Sequence, residues 1–327
     1  MRNNGKPITV LIFLIVAFLV LSFAIGNGLH NAIPFAFAQT NAAMIATATS
    51  ITPTRSTVTT AVEVNNNNGM TNSHITNIVA ATNATNEGLH ITNNVRYFDN
   101  ASGYLVYPSM TTAATNTSAL IKKIPAVIMI HENKGINDNI RSMANTLAKQ
   151  AGYVVLAVDL FKGQSTQDPN QAMKLVQLAR ADPQQTISNL QAAVKYVSSF
   201  PFVDSSKIAS IGWCFGGGQS LQLALHSDQH PLAATILYYG TPLVTDKQEL
   251  SKIKWPVLGI FGDKDRAIPL SDIQQFKAAL DADGIINEVH IYKGLGHAFA
   301  NPSGANYAPK ETADAWQKTL QFFKKYL

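Results

Sequence analysis

The chain has 327 residues, 46% of them hydrophobic, which is enough for one large domain with a sizeable core plus extra segments. Its net charge of +5 is scattered, with no basic stretch interleaved with aromatics, and this argues against nucleic acid as a partner. The single cysteine, Cys214, excludes an intramolecular disulfide framework and any zinc site built on two to four thiolates.

Arg2 and Lys6 flank an almost wholly apolar run, Ile8 to Ile25, and Ala36-Phe37-Ala38 before Gln39 has the form of a signal-peptidase site. Residues 1–38 are therefore expected to be a signal peptide. The run also approaches the ~18 apolar residues that a bilayer span needs, so an uncleaved membrane anchor is the alternative. Either way the protein is expected to be exported, and either secreted or held at the outer face of the cell membrane. Residues 39–94 are rich in Asn, Thr, Ala and Ser, contain no Phe, Trp or Tyr, and carry Asn65-Asn66-Asn67-Asn68 at their centre. Such a composition buries too little apolar surface to offset ordering entropy, and a disordered linker is expected. Asn83-Ala84-Thr85, Asn100-Ala101-Ser102 and Asn116-Thr117-Ser118 fit the N-glycosylation pattern, although a chain this rich in Asn and Thr produces such triplets by chance.

A folded domain is expected over residues 95–327. Val95-Arg96-Tyr97-Phe98 and Gly103-Tyr104-Leu105-Val106-Tyr107 flank a turn-forming Asp99-Asn100-Ala101-Ser102 and predict a hairpin. Pro125–Ile130 is apolar throughout, as in a strand covered on both faces. Helical spacing runs from Asn137 to Ala151 and stops at Gly152. A second buried strand, Tyr153–Val158, ends at Asp159. Helices are expected near Gln171–Arg180 and Pro183–Ser198, followed by a strand from Ile208 and a helix from Gln219. Further strands follow at Ala233–Tyr239, Val257–Phe261 and Glu288–Tyr292, with a helix at Asp272–Leu280. Pro309–Tyr326 closes the chain as an amphipathic helix with Ala313, Trp316, Leu320 and Phe323 on one face. Strands alternating with helices give an α/β domain with a mostly parallel central sheet and helices on both faces, whose site lies beyond the strand carboxyl ends.

The strand–turn–helix around Gly212-Trp213-Cys214-Phe215-Gly216 is a nucleophile elbow with Cys at the nucleophile position. It sets Cys214 over a helix N-terminus, where unpaired N–H groups favour a thiolate and an oxyanion. An acid after a later strand and a histidine after the last one complete the chain order of the α/β-hydrolases. Gly262-Asp263-Lys264-Asp265 offers two acids; Asp265 is preferred because it precedes the turn ending in Pro269, and Asp263 is the alternative. His297 stands on the glycine loop Gly294-Leu295-Gly296, while His226, His230 and His290 read as exposed. Singly, each has a plainer reading: Cys214 as a small buried hydrophobe, Asp265 as a turn former, His297 as a loop residue. Their joint placement favours chemistry.

With these motifs in hand, the chain from about Val95 resembles the dienelactone hydrolase family, the cysteine branch of the α/β-hydrolases. The resemblance rests on Ile130-His131-Glu132-Asn133-Lys134-Gly135, Gly152–Phe161, Gly212–Gly217, Tyr238-Tyr239-Gly240, Gly262–Asp265 with Pro269, and Gly296-His297-Ala298-Phe299. It implies a Cys214–Asp265–His297 triad, with Glu132 holding the resting thiol and swinging away when substrate binds. It also implies hydrolysis of a small ester or lactone through an acyl-enzyme, with no metal or organic cofactor. The oxyanion donors are expected to be the backbone N–H groups of Phe215 and Asn133. One departure concerns the substrate. Family members acting on dienelactone use arginines, one of them a few residues after the histidine, whereas this chain reads His297-Ala298-Phe299-Ala300-Asn301 and offers Lys162 and Lys174 before its next arginine, Arg180. Lysine lacks the bidentate fork. The rival readings are a thioesterase or another acyl hydrolase, and a non-catalytic surface protein with a vestigial site. A redox role lacks a resolving cysteine. The expected partner is a small-molecule substrate, the expected state is monomeric, and membrane contact is expected only through an uncleaved N-terminus.

Overall fold

In the computed structural model, which describes residues 88–109 and 122–327, strands and helices alternate after an opening hairpin. In chain order they are β1 (Leu89–Val95), β2 (Gly103–Pro108), β3 (Ile124–Ile130), α1 (Asp138–Ala151), β4 (Val154–Val158), α2 (Pro169–Ala181) and α3 (Pro183–Ser198). Then come β5 (Val203–Trp213), α4 (Phe215–Leu225), β6 (Ala234–Tyr238), α5 (Lys247–Leu250), β7 (Val257–Gly262), α6 (Leu270–Ala282), β8 (Asn287–Tyr292) and α7 (Pro309–Tyr326). Residues 1–38, expected to be a targeting segment, most of the Asn/Thr-rich stretch and the triplets at Asn83 and Asn116 lie outside the described residues. No helix among the described residues is long and apolar enough to cross a membrane.

The strands form one sheet in the order β1-β2-β4-β3-β5-β6-β7-β8. The six strands from β4 to β8 pair in parallel, and the β1–β2 hairpin adds two antiparallel strands at one edge. Every residue of β4, β6 and β7 is buried, as strands covered on both faces require. The helix caps follow from local chemistry. Asn137 accepts the N–H of Ile140 at the start of α1, Gly152 ends it in the left-handed conformation, and Asp168 and Asp182 cap α2 and α3 ahead of prolines.

Three details depart from expectation. The first hairpin strand is Leu89–Val95, which lies almost wholly inside the stretch assigned to linker. Only Leu89 and Val95 of β1 are buried, so an edge strand with its middle at the surface tolerates the Asn/Thr composition of a linker. The buried stripe of α7 is Ala315, Thr319, Phe322 and Phe323, while Ala313 is exposed. Of the expected face, Phe323 is buried and Trp316 and Leu320 pack partly buried against the core; Thr319 also faces inward, its hydroxyl 2.7 Å from the Tyr238 hydroxyl. His290 is partly buried on β8, whereas His226 and His230 are exposed.

Beneath the elbow, α4 is buried along nearly its whole length, which is why it lacks an amphipathic pattern. A buried hydroxyl chain fastens it to the sheet: Ser220 Oγ donates to the Ile236 carbonyl (2.9 Å) and lies 2.8 Å from Ser210 Oγ, Ser210 reaches Thr235 (3.3 Å), and Trp255 Nε1 donates to Thr235 Oγ1 (2.9 Å).

Candidate active site

Strand register sets the site. Ile130 pairs with Gly212 and Trp213 with Tyr238, so the residues following β3, β5 and β6 emerge side by side at one edge. Cys214 lies between β5 and α4 with φ 54° and ψ −119°, a region that side chains other than glycine rarely adopt. Its backbone is clamped: its N–H donates to Tyr238 O (3.0 Å), and its carbonyl accepts from Gly218 N (3.2 Å) and Thr241 N (3.1 Å). The flanking glycines are required by close approach. A Cβ on Gly216 would collide with the carbonyl oxygens of Ile130 and His131, and one on Gly212 would collide with the carbonyl of Gly216.

From the other side, the loop after β8 brings His297 to the elbow. His297 Nε2 lies 3.0 Å from Cys214 Sγ, and Nδ1 lies 2.8 Å from Asp265 Oδ2. The Asp265 side chain is fully buried, and its second oxygen accepts the N–H of Ala267 (2.8 Å), which fixes the rotamer that faces the ring. Burial alone pulls the His297 pKa down. The hydrogen bonds to Asp265 and Cys214 and the charges of both outweigh it and push the pKa up to about 10. Asp263, by contrast, faces the loop backbone: its Oδ1 accepts the N–H of Gly294 (2.6 Å) and so anchors the start of the histidine loop.

Glu132, just past β3, is buried and makes no hydrogen bond to Cys214. Its Oε1 accepts from the Tyr239 hydroxyl (3.4 Å) and its Oε2 from Asn301 Nδ2 (2.5 Å). Burial raises its pKa; the bonds from Tyr239 and Asn301 and the charges of His297 and Lys134 act the other way. Tyr239 is fully buried and its φ is 37°. Its ring meets that of His297 edge-on at 5.2 Å. Burial, then the neighbouring Glu132 and Cys214 charges, hold its hydroxyl well above the usual phenol range, so it remains a donor.

Two residues fasten the rim. His131 Nε2 accepts from Leu160 N (3.2 Å), so its Nδ1 carries the proton and donates to Glu132 O (2.6 Å). This neutral imidazole, held so by burial, ties the end of β3 to that of β4. Asp159 accepts the N–H groups of Ser102, Phe161 and Gly163 and pins the loop after β4 to the first hairpin. Of the expected oxyanion donors, Phe215 opens α4, where a backbone N–H has no partner inside the helix, and Asn133 lies in the turn after Glu132.

Among the cations considered, Lys162 lines a cavity of about 200 Å³ bounded by Phe98, Asp99, Asp182 and Asn189, to which Cys214, Glu132, Asp265 and His297 do not contribute. Lys174 is exposed on α2. Arg180 Nη2 donates to Thr241 O (3.1 Å), on the loop whose N–H holds the Cys214 carbonyl. No group of three His, Cys, Asp or Glu side chains among the described residues is arranged to hold a metal ion.

The sequence motifs had marked Cys214, His297, Asp265 and Glu132, and the fold brings these four to one edge. They did not assign a role to Tyr239 or Asn301, since neither lies in a spacing that distinguishes it from a strand-end tyrosine or a loop asparagine.

Residues 110–327 match the family model for the dienelactone hydrolase family. The chain belongs to that family. A candidate carboxymethylenebutenolidase of Aquifex aeolicus is 28% identical over 208 residues, 62% of this chain and 89% of the relative. One from Saccharolobus solfataricus is 31% identical over 246 residues, 61% of this chain and 89% of the relative. The crystal structure of a candidate dienelactone hydrolase from Klebsiella pneumoniae superposes with a TM-score of 0.61 at 25% identity, covering 73% of this chain and 98% of that one. This dienelactone hydrolase family member therefore has the α/β-hydrolase fold and is a carboxylic ester or lactone hydrolase acting on a small molecule.

Proposed function

We propose that the chain hydrolyses a small ester or lactone by covalent catalysis through Cys214. The supporting observation is the continuous contact from Cys214 Sγ to His297 Nε2 (3.0 Å) and from Nδ1 to Asp265 Oδ2 (2.8 Å). A base oriented by a third group beside the nucleophile is the arrangement that activates a thiol. The thiolate attacks the carbonyl carbon, and the C=O pair moves to oxygen. The N–H groups of Phe215 and Asn133 hold that oxyanion. Collapse breaks the carbon–oxygen bond, and protonated His297 gives its proton to the departing alkoxide. Neutral His297 then takes a proton from water as it attacks the thioester; acid is released and the thiolate returns. Asp265 keeps the ring in register throughout.

Nothing in the site favours dienelactone over other esters. The position four residues past His297 is Asn301, engaged with Glu132, and Lys162 faces another cavity. The experiment is Cys214→Ala, which leaves the fold intact and abolishes hydrolysis of p-nitrophenyl acetate; near-parent activity overturns the assignment. A panel of esters, thioesters and lactones separates this reading from a thioesterase. The export reading rests on the basic start, the Ile8–Ile25 run and Ala36-Phe37-Ala38. N-terminal sequencing of protein recovered outside the cell tests it, and a mature terminus at Gln39 is expected.

A further inference from the structure

The sheet ends at β8, and that end is open. Val257 N donates to Ile286 O and Asp263 N donates to Tyr292 O, and the register from Val257–Asn287 to Gly262–Tyr292 runs without a break. In such a parallel ladder the backbone groups of Glu288, His290 and Tyr292 face β7, and those of Asn287, Val289 and Ile291 face outward. Among the described residues β8 pairs with no strand but β7, so these three have no ladder partner. The opposite edge strand, β1, carries a register irregularity between Thr92 and Val95, the kind of bulge that turns an edge away from pairing. β8 carries none. On it and just before it, Ile291 is 39% and Ile286 56% exposed. An unbroken edge flanked by exposed isoleucines is a template for another strand.

The charges on β8 select that other strand. Glu288 and His290 share one face, and His290 Nε2 has no hydrogen-bond partner among the described residues, with Glu288 Oε2 of its own strand at 3.6 Å. When two β8 strands pair antiparallel, outward residues oppose outward residues, and the pairings with most overlap centre on Glu288, Val289 or His290. Centring on Val289 sets Val289 against itself and Asn287 against Ile291, so three pairs each exchange two hydrogen bonds. It also sets Glu288 opposite His290 of the second copy at two places, and exposed Ile286 opposite Tyr292; both kinds of pair stabilise a sheet. Centring on Glu288 brings two carboxylates face to face, centring on His290 brings two imidazoles, and either shift gives up one hydrogen-bonded pair. We propose that β8 is a self-recognition edge, through which two copies of this chain join their sheets as antiparallel strands centred on Val289. The proposal is independent of the nucleophile assignment and departs from the monomer expected from the sequence. Two such strands alone fall below the ~1,200 Å² of a standard interface, so a dissociation constant of roughly micromolar order is expected.

The test is sedimentation velocity on the protein from about 1 to 300 μM, a range that spans an interface of this size. The parent is expected to pass from monomer to dimer; a parent that stays monomeric throughout overturns the proposal. Val289→Pro removes an outward N–H that β7 does not use and should weaken association at least about tenfold. His290→Glu sets like charges opposite each other at two places and should weaken it about as much. The decisive variant is Glu288→Lys/His290→Glu, which puts opposite charges back at both places: association returns to within about threefold of the parent, while His290→Glu alone stays weak. A dimer that survives both Val289→Pro and His290→Glu lies on another surface and overturns the proposal, as does a double variant no stronger than His290→Glu. Circular dichroism of each variant identifies loss of fold, and Ile286→Asp, weakened in the same direction, takes the place of any variant that does not fold.

Discussion

The elbow and the histidine loop each deliver one reactive side chain to the same 3.0 Å contact, but they hold it by different physics. At the elbow, backbone lies against backbone: a Cβ on Gly216 or Gly212 would strike carbonyl oxygens. In the histidine loop there is room at Gly294 and Gly296, although the Leu295 backbone lies tight against Gly262. A Cβ on Gly294 would meet nothing within 4 Å, and one on Gly296 would meet first the Asn306 side chain at 3.4 Å. Around His297 itself the loop is shaped by side-chain hydrogen bonds: Asp263 to Gly294 N, Asn306 Nδ2 to His297 O (2.9 Å), and Asn301 to Glu132. Packing makes the nucleophile intolerant of substitution around it, while polar contacts make the base sensitive to single-atom changes.

The sharpest way to separate the two is Asp265→Asn, which leaves the elbow untouched. Oδ1 still accepts from Ala267 N, so the new amide faces His297 Nδ1 and donates to it. The imidazole proton is then forced onto Nε2, opposite Sγ, and the ring cannot accept from the thiol. A loss of about 10³–10⁴ in kcat is expected, with a near-parent circular dichroism spectrum. The same variant removes a group that raises the His297 pKa to about 10. A histidine raised in the fold adds stability fully present below its unfolded value near 6.5, and lost as pH rises toward about 10. The parent melting temperature should therefore fall between pH 6.5 and 10, and that of Asp265→Asn should fall less. Equal slopes would sink the linkage.

Next in size is Gly216→Ala set against Gly296→Ala. The first drives a methyl group into the carbonyls of Ile130 and His131, costs about 3 kcal/mol or more by overpacking, and displaces Cys214 with loss of activity. The second costs within about 1 kcal/mol and keeps most activity. Urea denaturation with ester assays checks both. Comparable losses in the two would erase the contrast. Asp263→Ala is smaller again. It removes one exposed charge-assisted bond to Gly294 N, for which about 1–2 kcal/mol is expected. Because the loop is released rather than the elbow, activity falls several-fold while iodoacetamide still labels Cys214.

What could be read beforehand follows the same division. The elbow was legible because its packing demands glycine at Gly212 and Gly216, and residue type is what a sequence prints. The buried strands were legible because covering both faces demands unbroken apolar runs such as Val154–Val158. Strand β1 was not, since its exposed Asn93 and Asn94 and half-buried Thr92 lie on an edge strand and match a linker in composition. On α7 the inward Trp316, Leu320 and Phe323 were legible, but Thr319 was not, a polar residue that is buried because Tyr238 satisfies it. The roles of Asn301 and Tyr239 were not legible for a related reason. Their roles come from one atom each meeting Glu132 across 169 and 107 residues of chain, and no local spacing encodes such a meeting.

The smallest expected effect tests whether Glu132 is there for function or for stability. Burial raises its pKa, with the bonds from Tyr239 and Asn301 and the charges of His297 and Lys134 as partial offsets. A carboxyl raised in the fold ionises first in the unfolded chain, near pH 4.5. Stability then declines as pH climbs from there to the folded value and stays reduced above it. Glu132→Gln has no such decline. Its Oε1 can accept from Asn301 Nδ2, and its amide can donate to the Tyr239 oxygen, so the cradle stays satisfied. The variant should melt close to the parent at pH 4 and a few degrees above it at pH 8. A buried carboxyl whose removal stabilises the protein at neutral pH is kept at a cost in stability, as expected of a residue retained for function. An equal gain at pH 4 and pH 8 would instead assign the difference to packing rather than to ionisation.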